Sequence, residues 1–309
     1  MTRYVAVRLL QGLITLLVAS MVIFGLTRLT GNPLDVILPD DASPETFKAM
    51  AEHLGLDRSL PEQYGVFLKS ILAGDWGKSI SFQQPVMDLI LSRFPATLKL
   101  AAAAVLVSFL IALPAGVLAA VKRNKWQDMV AKGFAILGQS IPTFWLGIVL
   151  IQAFAVELGW LPAGGYGGSK ISHWILPAVT LGYHSTAGLL RLTRSAMLDT
   201  LGTDFVRLAR IKGVSERLVI WRHALKNALI PVVTFSGVLF VHFLMGSVVT
   251  ETIFAWPGVG RLSYQAIRKR DFPLIQGVVI LFVGLYIVFN LLVDICYCYL
   301  DPRIKYEKK

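Results

Sequence analysis

The chain has 309 residues, 55% of them hydrophobic and 16% charged, with a mean hydropathy of +0.63 and a formal net charge of +11. These values place it among polytopic membrane proteins before any motif is read, and they speak against nucleic acid as a partner because the positive residues lie between apolar spans. Two cysteines, Cys296 and Cys298, exclude a disulfide scaffold; with no His beside them they read as buried thiols rather than metal ligands.

The first apolar run, about Leu9–Leu26, follows Arg3 and Arg8. A secretory signal could end at Val18-Ala19-Ser20, but the hydrophobicity continues through Met21–Leu26, so an uncleaved signal anchor is expected. Gly31–Phe94 is polar and punctuated by Pro33, Pro39, Pro44, Pro61 and Pro85, an extracytoplasmic segment between the first two spans. Its amphipathic pieces, Glu45–Leu54 and Glu62–Leu72, predict small helices on the membrane surface. Gly74-Asp-Trp-Gly-Lys-Ser79 ends like a phosphate-binding loop, but Leu72 stands where that motif needs its first glycine.

Five further spans follow, at about Leu98–Val121, Phe134–Ala155, Ile175–Leu190, Ala228–Thr250 and Leu274–Leu292. The Ile175–Leu190 run is short against the roughly 20 residues a span needs, with Arg191 and Arg194 placed to snorkel at its end. Pro114, Pro142, Pro177 and Pro231 interrupt or bound these helices. Six spans put both termini on one side. The face holding the N-terminus, Lys122–Lys132, Arg191–Ala228 and the C-terminal tail carries 18 Lys/Arg against six acids, and the other face 12 of each. The first face is therefore expected to be cytoplasmic, with Arg268-Lys269-Arg270 a local exception. Trp160, Trp174 and Trp256 fit an outer aromatic belt, and Trp126 and Trp221 an inner one.

No residue pattern selects an enzyme. Of five histidines only His184 and His242 fall within spans, no zinc motif or paired carboxylate occurs there, and nothing singles out Ser140, Ser185, Ser236 or Ser247 as a nucleophile. No catalytic or metal-binding residue is assigned. A transport pathway needs less, and Gln139, Ser140, Pro142 and Thr143 on the third span, with Gln152, His184 and His242, supply polar candidates. Each could equally satisfy a neighbouring helix. Asp294, the one acid inside a span, is better suited to pairing with a cytoplasmic Arg. A secondary transporter is the rival, but no internal repeat supports it.

Such a transporter would also leave Asp204–Pro231 without a task. This stretch holds six basic residues against Asp204 and Glu216 and cannot sit in lipid. Over Asp204–Lys212, Phe205, Leu208 and Ala209 share one helical face while Arg207 and Arg210 point the other way. Asp204 complements the helix dipole, Gly213 permits a reversal, and Ser215 is placed to cap a second helix through Asn227.

With Ala209, Gly213 and Leu225 in register, the block resembles the EAA loop of ABC importer permeases. It resembles the dipeptide/oligopeptide/nickel branch closely: Asp204, Val206, Arg207, Ala209, Arg210, Lys212, Gly213, Arg222, His223, Ala224, Leu225, Asn227, Ala228 and Pro231 follow that branch. Gly74-Asp-Trp-Gly77, Phe94-Pro-Ala-Thr97, Leu158-Gly-Trp-Leu-Pro162, Phe254-Ala-Trp-Pro-Gly-Val-Gly-Arg261, Arg270-Asp-Phe-Pro273 and Asp301-Pro-Arg303 extend the likeness along the chain.

The resemblance implies an all-α type I importer permease. Residues 1–94 form the first helix and extracytoplasmic segment, residues 95–298 a permease core with a coupling loop at 195–228, and residues 299–309 a cytoplasmic tail. It implies a multi-pass protein of the bacterial inner membrane that binds no cofactor itself. Its partners would be a second homologous permease, two cytoplasmic ATPase subunits that bind ATP and Mg, and an extracytoplasmic solute-binding protein. Asp204, Phe205, Arg207, Leu208, Ala209, Arg210, Lys212, Gly213 and Glu216 would meet the ATPase. The cargo would be di- or oligopeptides, with glutathione or a nickel or other metal chelate as the alternative.

Overall fold

The computed structural model describes residues 2–31, 33–39, 41–53, 55–168 and 170–300. Among these the secondary structure is helical apart from one isolated antiparallel bridge, Lys78 to Pro85. The helices are α1 (Thr2–Leu29), α2 (Leu34–Ile37), α3 (Pro44–His53), α4 (Leu60–Leu72), α5 (Val86–Val121), α6 (Trp126–Ser140), α7 (Thr143–Leu150), α8 (Ser172–Leu201), α9 (Asp204–Ile211), α10 (Glu216–Leu218), α11 (Leu225–Gly246), α12 (Val248–Ile253), α13 (Val259–Arg268) and α14 (Phe272–Leu300). Wider π turns extend α7 over Ile151–Glu157 and join α10 to α11 over Val219–Ala224.

Among the described residues four stretches are long and apolar enough to cross a membrane: Ala6–Leu29, Val86–Val121, Glu216–Gly246 and Phe272–Leu292. The third expected span is not one helix. Trp126–Ser140 and Thr143–Glu157 are bent by 104° and make a fifth crossing only if taken together. The break follows from Pro142, which has no N–H to continue the ladder and drives Ile141 out of the helical region to φ −85°, ψ 121°. The helix that carries the fifth expected span begins at Glu216, before the apolar run itself, so the second helix of the basic block does not stop at Asn227. The fourth lies within α8, which is 30 residues long; its Ser, Thr and Arg content keeps it out of the apolar set. The side chains of Asp294, Cys296 and Cys298 and residues 301–309 lie outside the described residues.

The chain divides into two compact units, Met1–Ala96 with Gly258–Leu291, and Thr97–Pro257 with Leu292–Lys309. In the first, Val86, Ile90, Val259, Leu262, Leu274 and Val278 form a buried cluster with Trp76 packed on it. A Cβ on Gly277 would stand 2.5 Å from Val86 Cγ1, so only glycine lets α14 approach this closely. Asp271, fully buried, accepts from Ser79 Oγ at 2.5 Å, Ser81 N at 2.9 Å, Ile80 N at 3.2 Å and Leu274 N at 3.3 Å. One carboxylate thus fastens the 79–81 turn and caps α14, and the Ser79 hydroxyl is spent there rather than facing a phosphate.

Helix α4 buries none of its residues. It lies along the apolar length of α1 rather than above it: Tyr64 Oη is 2.9 Å from Ser20 Oγ, and the Phe24, Tyr64 and Phe67 rings meet at 5.5–6.2 Å. Ser20 sits in the interior of α1, about 13 Å from the helix end at a rise of about 1.5 Å per residue.

In the second unit α8 is the hub, packed against α6, α7 and α11. A small residue also brings α8 close to α5. A Cβ on Gly182 would stand 2.7 Å from the Ala104 carbonyl oxygen, and Ser108 Oγ donates to the Gly182 carbonyl at 2.9 Å. Trp256 is fully buried, edge-on to Trp174 and Tyr166, so it is a core residue and not part of an aromatic belt. Trp160, Trp126 and Trp221 are exposed.

Candidate functional site

The basic block folds as a short helix clamped to longer ones. Thr203 precedes α9, its carbonyl taking the Arg207 N–H at 3.2 Å. Just past α9 the chain reverses at Gly213, with φ +75°, and Val214 N donates to the Ala209 carbonyl at 3.2 Å. A Cβ at Gly213 would meet nothing within 4 Å, so the requirement there is the left-handed backbone and not space. Ser215 occupies the cap position of α10 but makes no side-chain cap bond.

Val206 is fully buried with Val117, Ala120, Met197, Val219, Ala224 and Ala228, and Ala209 packs partly buried against the same cluster. Ala209 therefore belongs with Val206 on the inward side. Phe205, Leu208 and Ile211 are 45%, 51% and 81% exposed and form an outward ridge at a spacing of three residues. Leu218 and Trp221 on the next helix are also half-exposed. Arg210 forks onto Glu216 at 2.7 and 3.1 Å, bracing the helices on either side of the turn. The carboxylate beside it raises the Arg210 pKa above its ordinary value, so the cation persists at any physiological pH. Arg207 stands 3.6 Å from Asp204 with both side chains exposed; Lys212 and Gly213 are exposed at the turn.

The polar span residues separate into two groups. Arg191 Nη1 donates to Gln139 Oε1 at 2.9 Å, and Ser140 Oγ returns to the Ile136 carbonyl at 3.0 Å. Pro142 marks the break between α6 and α7. His184 and His242 come together instead, on the wall of a cleft of about 290 Å³ shared with Thr143, Phe144, Ser185 and Phe243. Both imidazoles are exposed in the single chain.

Three features escaped the sequence reading. Arg194 does not snorkel but forks onto the fully buried Asp128 at 2.6 and 2.9 Å, tying α8 to the start of α6; Lys132 adds a contact at 3.0 Å. Arg191 is likewise spent on Gln139. Glu251, just past the expected end of the fifth span, is fully buried and accepts from Thr97 Oγ1 at 2.8 Å and Ser247 Oγ at 2.9 Å. A Glu interrupting an apolar run at Thr250-Glu251-Thr252 was the available signal. Among the described residues no group of three His, Cys, Asp or Glu side chains could hold a metal ion.

Comparison with known proteins agrees with this architecture. Residues 112–306 match the family model of binding-protein-dependent transport system inner membrane components, and residues 1–101 the N-terminal model of the same systems. The glutathione transport system permease protein GsiC of Escherichia coli is 41% identical over 308 residues, covering 99% of this chain and all of that protein. The Shigella boydii protein of the same name is 40% identical over the same span. Among solved structures, an inward-facing form of the MetNI methionine ABC transporter aligns with 70% of this chain and 97% of its own at a TM-score of 0.56 and 20% identity. An amino acid ABC transporter with histidines aligns with 68% and 92% at a TM-score of 0.52 and 19% identity. These two likenesses show the fold. The chain therefore belongs to the family of binding-protein-dependent transport system inner membrane components and is a permease subunit of an ABC importer.

Proposed function

We propose that the permease is driven through the ridge of α9. The observation that carries this reading is the pairing of two faces on eight residues: Val206 is locked into a core shared with α5, α8 and α11, while Phe205, Leu208 and Ile211 turn outward and stay about half-exposed or more. A helix so mounted passes a push to the spans on either side of it without bending. Two cytoplasmic ATPase subunits supply that push by binding ATP and Mg, which this chain does not bind. Asp204, Arg207, Arg210 and Lys212 surround the ridge and select the partner by charge, Gly213 makes the turn, and Glu216 holds Arg210.

In this arrangement α8 is the sixth crossing, with Thr180, Ser185, Thr186 and Thr193 buried against its neighbours. Both termini and the α9 turn are cytoplasmic, the segment between α1 and α5 faces outward, and a solute-binding protein delivers cargo there. A second, similar permease completes the pathway. His184 and His242, which share a cleft, line it with Pro142 at its bend; Gln139 and Ser140, already bonded within the chain, stand beside it. The cargo is glutathione or a related small peptide, a reading supported by the 41% identity to proteins named as glutathione permeases.

Replacing Phe205 and Leu208 together by Glu tests the coupling. Both side chains are about half-exposed, so membrane insertion and thermal stability should hold, while uptake and substrate-stimulated ATPase activity of the assembled importer should fall by about tenfold or more, the equivalent of at least about 1.4 kcal/mol at the contact. Unchanged uptake with normal assembly would refute it. Ala209→Glu is the poorer test, because its carboxylate would also break the internal core.

A further inference from the structure

The first unit contains a cationic site apart from the α9 ridge and the His184–His242 cleft. Arg28 lies in the last turn of α1, at the end of the Ala6–Leu29 apolar stretch, and so at a boundary between hydrocarbon and water. Two clefts, of about 340 and 300 Å³, share Arg28 and Gln276. Lys78 lines the first and Arg58 the second, and among the described residues no acid lines either one.

The Arg28 guanidinium rests on the Phe24 ring at 5.3 Å, and its Nε is sealed from solvent without an acceptor. A snorkelling arginine would hold its N–H groups in water; this one has a buried donor left over. Gln63 repeats the pattern. Its Nε2 is committed to the Leu56 and Arg58 carbonyls at 3.1 and 2.8 Å, while its Oε1 is buried with no donor. Unmatched buried polar atoms next to three cations call for a ligand that brings acceptors and carries negative charge.

We propose that these clefts bind a phosphate group, with Arg28 as the central fork, Arg58 and Lys78 as flanking charges, and Gln63 receiving a hydroxyl. Guanidinium matches phosphate oxygens two at a time, which an ammonium does not. Phe67, Val66 and Phe272 on the walls suit the acyl chains of a lipid carrying that headgroup, and a free phosphate would meet the same polar groups.

The test is native mass spectrometry of the intact importer titrated with phosphatidylglycerol or phosphatidylcholine, alongside calorimetry with inorganic phosphate. Phosphatidylglycerol should be retained over phosphatidylcholine, or phosphate should bind directly. Arg28→Gln should weaken the bound species by about tenfold, the loss of one charge-assisted contact. The exposed pair Arg58→Gln and Lys78→Gln, which leaves the fold alone, should weaken it by a smaller factor. Lipid retention that millimolar phosphate does not compete away identifies a headgroup; phosphate binding without lipid preference identifies a free anion. Equal retention of both lipids with no phosphate binding, or wild-type binding in all variants, overturns the proposal.

Discussion

The stretch between α1 and α5 and the stretch between α8 and α11 look alike on paper, since both are polar and carry short amphipathic helices. The structure holds them by different means. Helix α9 inserts one fully buried aliphatic side chain, Val206, into a core from three other helices and leaves an apolar ridge over. Helix α4 buries no residue and is kept against α1 by aromatic edges and one hydroxyl pair, while the 79–81 turn hangs on the Asp271 carboxylate. Amphipathicity therefore marks a segment that needs a partner without saying which. For α4 that partner is the apolar side of α1; for α9 half of it is internal, and the Phe205, Leu208 and Ile211 half stays exposed.

Removing the polar anchor should separate the two regions most sharply. Asp271→Ala strands four donors at once, two of them buried, and should cost about 3–5 kcal/mol of stability, read as a lower melting temperature and proteolysis at residues 74–85 with no added cleavage at residues 204–216. Equal exposure of both regions would show them to be one cooperative element. Gly213→Ala sharpens the other side. Forcing Ala into the left-handed region costs about 1 kcal/mol, and hydrogen exchange should rise at Lys212–Ser215 with no change around Asp271. Smallest of all, Arg210→Gln removes an exposed ion pair worth about 0.3–1 kcal/mol; added salt should lower the wild-type melting temperature slightly and erase its difference from the variant.

Much of the basic loop between α8 and α11 was legible in the sequence. Gly213 reads as a turn because no other residue adopts its backbone cheaply, and the charge of the block excludes it from lipid. The apolar runs are equally direct, since the transfer free energy of a span is a local sum over residues. Legibility failed where one residue served two elements. Trp256 reads as an interfacial aromatic by composition but is buried among Trp174 and Tyr166. Arg191 and Arg194 read as snorkelling cations, yet their partners, Gln139 and Asp128, lie 52 and 66 residues away. Ala209 sits at the edge of two faces, and helical phase alone does not say which one the core takes.

Residue identity alone was enough to put this chain in a membrane, to keep Asp204–Pro231 out of lipid and to turn that loop at Gly213. Hydrophobicity, charge and glycine's backbone freedom act within a few residues and need no knowledge of the rest. Packing against distant helices left α5, α8 and α11 unbroken at Pro114, Pro177 and Pro231 while the third span bent at Pro142, brought His184 and His242 to one cleft, and set which side of α9 faces outward. Those outcomes depend on which distant helix fills the space beside each side chain.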